Sequence, residues 1–315
     1  MQVFRSLDEV PSDFGPSVVA IGKFNGVHLG HLAMIARAQS EAESLHARTV
    51  VVTFDRHPAA LLHPADVPAD ITGPNRRLEL IEAAGIDASL VLEFTEELAA
   101  LSPTAFVENI VVDVLHAQVV VVGNDFKFGS RASGDCATLR ELGDRFGFTV
   151  VELEDVAPGG ERRVSSSWIR ELLEAGDVVT ANSLLGRRHA VRGLVVHGEA
   201  RGRLLGYPTA NLASDSTGYL PADGTYAGWL IDEDGTRYPA AISIGTNPTF
   251  EGERTRRLEA FVIDHTLDLY DHVVVVEFVD YLRGMYKFDG IDKLIAQMDD
   301  DIVAIRAILD LPSAQ

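Results

Sequence analysis

Short valine-rich runs alternate with longer amphipathic segments between residues 17 and 153, and this alternation constrains the fold more than any other feature. The runs VVVTF (50–54) and QVVVVG (118–123) contain almost no polar residue. Strands that are apolar on both faces are typical of parallel sheets, whose strands are joined by crossover helices that cover them. The pattern predicts a doubly wound, Rossmann-like parallel sheet of the α/β class.

After residue 188 the sequence consists of short β-rich runs that are separated by Gly, Pro and Asp. Strands without helices between them predict an antiparallel barrel or sandwich, followed by one amphipathic helix from about residue 291 to 309. A length of 315 residues also favours two domains. We predict one domain over residues 1–184 and a second over residues 185–315.

The composition narrows the classes of partner. A formal net charge of −20 argues against nucleic acid, which is normally bound by a basic surface. No apolar run approaches the roughly 20 residues of a membrane helix, so no membrane contact is expected. The single cysteine, Cys136, and the lack of a signal-peptide pattern at the start of the sequence favour the cytoplasm. Self-association stays open, because a sequence does not reveal which surfaces are exposed.

The segment GKFNGVHLGH (22–31) follows the first predicted strand and opens the first predicted helix. A glycine-rich turn at this place lets phosphates approach the backbone and the helix N-terminus. His28 and His31, three residues apart, share one helical face and can both donate to a phosphate. The alternatives are two ordinary polar residues at a helix start, or a metal site for which no third ligand is evident.

Two further segments lie where ligands bind in such sheets. GNDFKFG (123–129) follows the fourth predicted strand, and RVSSSWIR (163–170) precedes a helix. Serines at a helix start are either caps or ligand contacts, and the residues leave both readings open. Arg170, one turn into the helix, can bind polyphosphate oxygens.

In the second half, HGEARGRLLGYPTAN (197–211) predicts an irregular Gly/Pro loop that wraps a nucleotide or is an ordinary surface loop. Thr209 and Asn211 offer neutral oxygens that suit magnesium. Glu259 lies on a predicted strand and faces the side opposite to Leu258 and Ala260. It is either a solvent-facing residue or the base that phosphoryl transfer to an alcohol requires.

The segment 22–31 resembles the signature of nucleotidyltransferases with the HxGH motif. TFDRHP (53–58), LSPTAFVENIVVDVL, GNDFKFG and VSSSWIR resemble the bacterial FAD synthetase branch, in its own order. The resemblance implies binding of ATP and FMN, with both histidines and the serine–arginine segment on the triphosphate. The implied contacts are His28, His31, Gly22, Phe24, Asn25, Gly30, Asp125, Arg163, Ser165, Ser166, Ser167 and Arg170. Asn25 stands where the family usually has aspartate, which puts any role that needs charge there in doubt.

The second half resembles bacterial riboflavin kinase in its PTAN sequence, in ISIGTNPTF, in LEAFVID and in VEFVDYLRGMYKFDG. That family folds as a small Greek-key β-barrel with a C-terminal helix. The resemblance implies Glu259 as general base and Mg²⁺, brought in with ATP, on Thr209 and Asn211. The implied kinase contacts with ATP are Gly202, Arg203, Gly206, Pro208, Thr209 and Asn211.

Joined in this order, the halves are similar to the bacterial bifunctional riboflavin kinases and FAD synthetases. The resemblance implies phosphorylation of riboflavin to FMN and adenylylation of FMN to FAD with release of pyrophosphate, and hence riboflavin, FMN, FAD and ATP as ligands. One alternative is a nucleotidyltransferase for another phosphorylated substrate, against which the kinase-like half argues. The other is a flavin-sensing regulator with decayed sites, against which the retained histidines, PTAN sequence and Glu259 argue.

Overall fold

A computed structural model describes residues 1–160, 162–198, 206–246 and 256–312. By its internal contacts the chain divides into two units. The first comprises Met1–Ala69 and Gly73–Ser165, and the second comprises Asp70–Thr72 and Ser166–Gln315. Within the described ranges, no helix has the length and apolarity needed to cross a bilayer.

The first unit contains a sheet whose pairs are all parallel, as predicted. Its strands lie in the order β1-β4-β3-β2-β5-β6. Their bounds are β1 Gln2–Phe4, β2 Ser17–Ile21, β3 Arg48–Phe54, β4 Ala88–Leu92, β5 Ala117–Gly123 and β6 Thr149–Leu153. The order reverses direction between β2 and β5, and in open α/β sheets ligands bind outside the carboxyl ends of strands at such a point.

Helices cover both faces of this sheet. They are α1 Leu29–Leu45, α2 Ala59–Leu62, α3 Pro74–Ala83, α4 Glu96–Ala100, α5 Pro103–Phe106 and α6 Cys136–Phe146, with short 3₁₀ turns at Leu7–Glu9, Pro64–Asp66 and Ser130–Ala132. Helix α5 is followed directly by π-helical turns over Val107–Val112. Along β2, Val19 and Ile21 pack into one core and Val18 and Ala20 into another. Burial on both faces explains why the strands are almost purely apolar.

The second unit contains a closed antiparallel barrel in the order β10-β11-β8-β7-β12-β9, which confirms a barrel rather than a sandwich. Its strands are β7 His189–Val196, β8 Thr209–Leu212, β9 Gly224–Ile231, β10 Arg237–Thr246, β11 Arg256–Val262 and β12 Val273–Arg283. Its helices are α7 Ser166–Glu174, α8 Val178–Leu185 and α9 Ile291–Ile308. Thr209 and Asn211, which we predicted to lie in a loop, lie on β8, because this short segment pairs with β11.

Alternation along the strands separates the two faces of the barrel. On β11, Leu258, Ala260 and Val262 are buried, whereas Glu259 and Phe261 point to the other face and are half-buried. Helix α9 covers part of that outer face, where its Ile305 packs with Phe261 in one apolar cluster. The predicted orientation of Glu259 is therefore confirmed.

His189 at the start of β7 makes the barrel sensitive to acid. It is 1% exposed, its Nε2 lies 2.6 Å from the carbonyl oxygen of Tyr219, and its Nδ1 has no hydrogen-bond partner. Burial lowers its pKa from 6.5 to about 4. Because the unfolded chain binds this proton more tightly, the stabilisation is complete above the unfolded pKa and is lost as the pH falls towards 4.

We expect this histidine to reduce the free energy of unfolding of the second unit by about 2 kcal/mol between about pH 7 and pH 5. Urea unfolding followed by tryptophan fluorescence measures it, because Trp168 and Trp229, the two tryptophans of the chain, both lie in this unit. His189→Gln keeps an N–H donor for Tyr219 and cannot titrate, so its unfolding energy should fall less. Equal pH slopes for the two proteins would contradict the assignment.

Candidate active sites

The turn after β2 is held in a strained conformation. Phe24 and Val27 have φ angles of 50° and 40°, which are unfavourable for bulky and β-branched residues. Such residues persist only where the surroundings enforce them, and they cluster at functional sites. Here the carbonyl oxygen of Lys23 accepts hydrogen bonds from Thr53 Oγ1 at 3.1 Å and from Arg77 Nη1 at 3.3 Å. Neighbouring elements therefore fix the shape of the turn.

The two histidines stack at the start of α1. Their ring centroids are 3.7 Å apart, and the His31 ring also lies 4.9 Å from the ring of Phe24. The backbone N–H of His28 donates to His31 Nδ1 over 3.3 Å. A neutral His31 ring that accepts at Nδ1 carries its proton on Nε2 and offers it as a donor. The side chain of His28 is buried, as is the predicted contact residue Asn25.

The glycines of this segment leave room for rings. A Cβ at Gly22 would lie 3.1 Å from the Phe24 ring, and a Cβ at Gly30 would lie 3.2 Å from both Cε1 and Nδ1 of His28. Both distances are shorter than ordinary van der Waals contact. The glycines thus allow the aromatic rings to pack directly on the backbone of the turn and of α1.

We expect Gly30→Ala to displace the His28 ring by a few tenths of an ångström and to slow the adenylyl transfer predicted from the sequence about tenfold. Alanine is also the better helix former, so thermal stability should stay level or rise slightly. Ser40→Ala, an exposed substitution in the same helix, is the matched control and should change neither activity. The rates of FAD and FMN formation are measured for each variant. An unchanged rate of FAD formation in Gly30→Ala would show that the reaction tolerates the displacement of His28.

Asp125 and Arg163, predicted from two separate segments, form an ion pair. Arg163 Nη2 lies 2.7 Å from Asp125 Oδ2, and Arg163 Nη1 lies 3.4 Å from Asp155 Oδ1. The hydrogen bond that Arg163 donates to the Asp125 carboxylate raises the pKa of Arg163 above its usual value. Asp125 follows β5 directly, so the pair lies at the carboxyl end of the strand next to β2.

The serine–arginine segment divides between the units. Ser165 ends the first unit, while Ser166, Ser167 and Arg170 lie on α7 in the second. Within the second unit, Leu173 on α7 accepts a backbone hydrogen bond from Ala222, and Tyr219 donates to Glu174. Burial lowers the pKa of Arg170, opposed by the nearby charge of Asp70. Hydrogen bonds with Tyr219 and Ala222 of the second unit therefore hold α7 in place.

The residues predicted for the kinase site meet on two adjacent strands of the barrel. In the β8–β11 ladder Asn211 lies opposite Glu259, and Thr209 lies opposite Phe261. The hydroxyl of Thr209 donates to Glu259 Oε2 over 3.1 Å, and Asn211 Nδ2 lies 3.3 Å from the same hydroxyl. A Cβ at Gly198 would lie 2.6 Å from the Asn211 side chain, so this glycine permits the close approach. A carboxylate and two neutral oxygen donors thus share one spot.

The segment before β8 is anchored by an aromatic residue that our sequence analysis did not select. The ring of Tyr207 packs edge-on against Phe261 at 5.2 Å, and its hydroxyl donates to Asp299 Oδ1 on α9 over 2.5 Å. That hydrogen bond raises the pKa of Tyr207 to about 12, so the hydroxyl remains a donor at neutral pH. Gly206 before it has a φ of 91°, and Pro208 after it is exposed. Gly202 and Arg203 lie outside the described residues.

A small pocket adjoins this cluster of Thr209, Asn211 and Glu259. The rings of His197 and Tyr270 stack at 3.8 Å near it. Its walls are Val195, Pro208, Thr209, Ala210, Val262, His265, Leu267, Leu269 and Tyr270. Thr209 therefore belongs both to the pocket wall and to the polar cluster with Glu259.

Sequence reasoning also missed Thr53, Arg77 and Tyr207. Arg77 reads as a surface charge of an amphipathic helix, and only the fold reveals that it is buried and donates to backbone carbonyls. Tyr207 stood inside a segment that reads as a loop. Its position directly before the PTAN sequence was the one available signal.

Comparison with protein families assigns both halves. A family model described as FAD synthetase matches residues 10–168, and one described as riboflavin kinase matches residues 185–309. A bifunctional riboflavin kinase/FMN adenylyltransferase of Pseudomonas fluorescens is 36% identical over 100% of this chain and 99% of its own. One of Listeria monocytogenes is 34% identical over 92% of this chain and 91% of its own.

A solved structure, described as a macrolide-efflux protein from Streptococcus pneumoniae, superposes with a TM-score of 0.87 at 32% identity. It covers 96% of this chain, and this chain covers 98% of it. The full-length likeness therefore extends from sequence to fold. Because both family models match in this order and relatives align from end to end, the chain belongs to the family of bifunctional riboflavin kinases/FMN adenylyltransferases.

Proposed function

We propose that the chain converts riboflavin to FMN at the Thr209–Asn211–Glu259 cluster and converts FMN to FAD with the help of His28 and His31. The observation that carries the proposal is the 3.1 Å hydrogen bond from Thr209 to Glu259 between paired strands. This hydrogen bond connects Thr209, which we propose binds the magnesium ion brought in with ATP, to Glu259, which we propose accepts a proton. We assign FAD formation to residues 1–184 and FMN formation to residues 185–315.

In the kinase reaction, the terminal ribityl hydroxyl attacks the γ-phosphorus of ATP. The new O–P bond forms as the bond to the β-bridging oxygen breaks, and ADP leaves. Glu259 accepts the proton of the attacking hydroxyl. We place the adenine ring beside Thr209, where Pro208, Leu269 and Tyr270 line a small pocket.

The donor set fits magnesium. Thr209 and Asn211 supply neutral oxygens beside the carboxylate of Glu259, and magnesium prefers oxygen ligands together with substrate phosphates and water. When bound with ATP, the ion would screen the charge of the phosphates. Within the described ranges no group of three or more His, Cys, Asp and Glu side chains is placed to hold a metal ion.

In adenylyl transfer, a phosphate oxygen of FMN attacks the α-phosphorus of ATP. The new O–P bond forms as the bond from the α-phosphorus to the α,β-bridging oxygen breaks, and pyrophosphate leaves. The reaction builds negative charge on the α-phosphate, which N–H donors stabilise. His31 accepts a backbone hydrogen bond at Nδ1, so its neutral ring carries the proton on Nε2, and the His28 ring is stacked on it. Family resemblance adds Gly22, Phe24, Asn25, Asp125, Arg163, Ser165, Ser166, Ser167 and Arg170 as contacts for ATP or FMN. The proposal places the protein in the cytoplasm with flavins and ATP as its ligands.

The direct experiment incubates the purified chain with riboflavin, ATP and magnesium and separates the flavins by chromatography. We expect FMN to appear first and FAD to follow. FMN without FAD would leave the kinase proposal alone standing. Failure to form either flavin would refute the proposed function.

A further inference from the structure

A row of polar side chains crosses the outer face of the barrel from strand to strand. In the strand register, Asn211 on β8 lies opposite Glu259 on β11. Glu259 lies opposite Ser243 on β10, and Ser243 lies opposite Thr225 on β9. Directly paired residues of antiparallel strands point to the same face, with Cβ atoms about 5 Å apart. Ser243 is therefore the next polar neighbour of Glu259 on the side away from Asn211.

The neighbouring row of side chains on the same face is mostly apolar, and helix α9 covers part of it. Thr209 pairs with Phe261, Phe261 with Ala241, and Ala241 with Ala227. Ala227, Ala241 and Phe261 pack in one cluster with Ile302 and Ile305 of α9. Ser243 lies one row beyond this cover and is half-buried. The Ser243 hydroxyl therefore lies on the uncovered side of Glu259. Asn211 and Thr209 lie on the opposite side of Glu259.

An exposed methionine lies next to Ser243. The sulfur of Met285 lies 3.9 Å from the Ser243 hydroxyl, and Met285 is 53% exposed. The segment that carries it is fixed, because Arg283 pairs with Asp301, Gln297 donates to Asp301, and Tyr286 donates to Gln297. The surface therefore runs from a carboxylate through a hydroxyl to an exposed thioether.

We propose that Ser243 is a substrate-binding residue, whose hydroxyl binds the ribityl hydroxyl next to the one that is phosphorylated. Vicinal hydroxyls are close enough for Glu259 to take one and Ser243 the other. The exposed thioether of Met285 beside Ser243 offers an apolar contact for the flavin ring at the other end of the polyol chain. This inference rests on the proposed role of Glu259. It names a residue that determines which hydroxyl of the ribityl group reacts.

The test combines a protein change with a substrate change. The rate of phosphorylation, as kcat/KM, is measured for riboflavin and for 4′-deoxyriboflavin with the wild-type chain and with Ser243→Ala. A neutral hydrogen bond is worth about a three- to tenfold preference, so the wild type should favour riboflavin by that factor. Ser243→Ala should use both substrates equally, because it loses only the rate on riboflavin. Ser243→Thr restores a hydroxyl and should restore the preference.

Two controls separate substrate binding from other effects. Ser183→Ala, an exposed serine change on α8 in the same unit, should retain the wild-type preference. Glu259→Gln should slow both substrates and keep their ratio. A preference for riboflavin that survives in Ser243→Ala would overturn this inference alone. A wild-type chain that forms no FMN would overturn the proposed function together with it.

Discussion

Glutamine in place of Glu259 is expected to slow FMN formation by about 10²- to 10⁴-fold, the usual effect of losing a general base. Glutamine has the same shape and can still accept the hydrogen bond from Thr209 through its amide oxygen. It cannot take a proton from the attacking alcohol. FAD formation from supplied FMN should continue at the wild-type rate, and chromatography of the flavins measures both steps.

Glu277→Gln is the matched control for this experiment. Glu277 is another half-buried strand carboxylate of the barrel, and it pairs with Arg237 at 2.8 Å. The change weakens the ion pairs of Glu277 with Arg237 and Arg188, which are partly exposed to solvent and therefore worth little. If Glu259→Gln made FMN at the wild-type rate, the carboxylate would not be the base. If both variants slowed equally, the loss would reflect the barrel rather than Glu259.

Alanine in place of His28 is expected to lower the rate of FAD formation by about 10²- to 10³-fold, the typical cost of removing one donor from a site where charge develops. The change also removes the ring on which His31 stacks and therefore loosens the second donor. FMN formation from riboflavin should be unaffected, so FMN should accumulate. Rates with riboflavin and with FMN as separate substrates measure the effect.

His63→Ala serves as its control, because His63 is exposed and ends the short helix α2 in the same unit. That variant should form FAD normally. A folded His28→Ala protein that still made FAD at the wild-type rate would remove the histidine from the reaction. If the His28 and Glu259 variants each lost both activities while folded, the assignment of two separate sites would be wrong.

The strands of the first unit were predictable because burial on both faces leaves little choice of residue. The run QVVVVG (118–123) corresponds to β5 within one residue. β1 was missed, since Gln2–Phe4 is too short for a periodic signal and pairs with β4 only in the folded chain. The π-helical turns at Val107–Val112 were also missed, because their residues have the same apolar spacing as an α-helix.

The candidate sites were predictable as residue types but not as geometry. The glycine-rich segment 22–31 indicated a phosphate-binding turn, yet the φ values of Phe24 and Val27 depend on the contacts of Lys23 with Thr53 and Arg77. Likewise, alternation along β11 gave the face of Glu259 but not its partners. Its partners follow from the pairing of β8 with β11. The sequence does not indicate this pairing, because β8 lies at the end of a Gly- and Pro-rich segment that is typical of a loop.

The placement of Thr209, Asn211 and Glu259 on paired strands limits how the barrel can change its length. Inserting or deleting one residue within β8 or β11 would turn the following side chains to the opposite face and carry a functional group into the barrel interior. The turn at Asp232–Thr236 has no such constraint, because it carries none of these groups. Grafted peptides or tags are therefore best accommodated there, at the far end of the hairpin, where chain length can vary without disturbing phosphorylation.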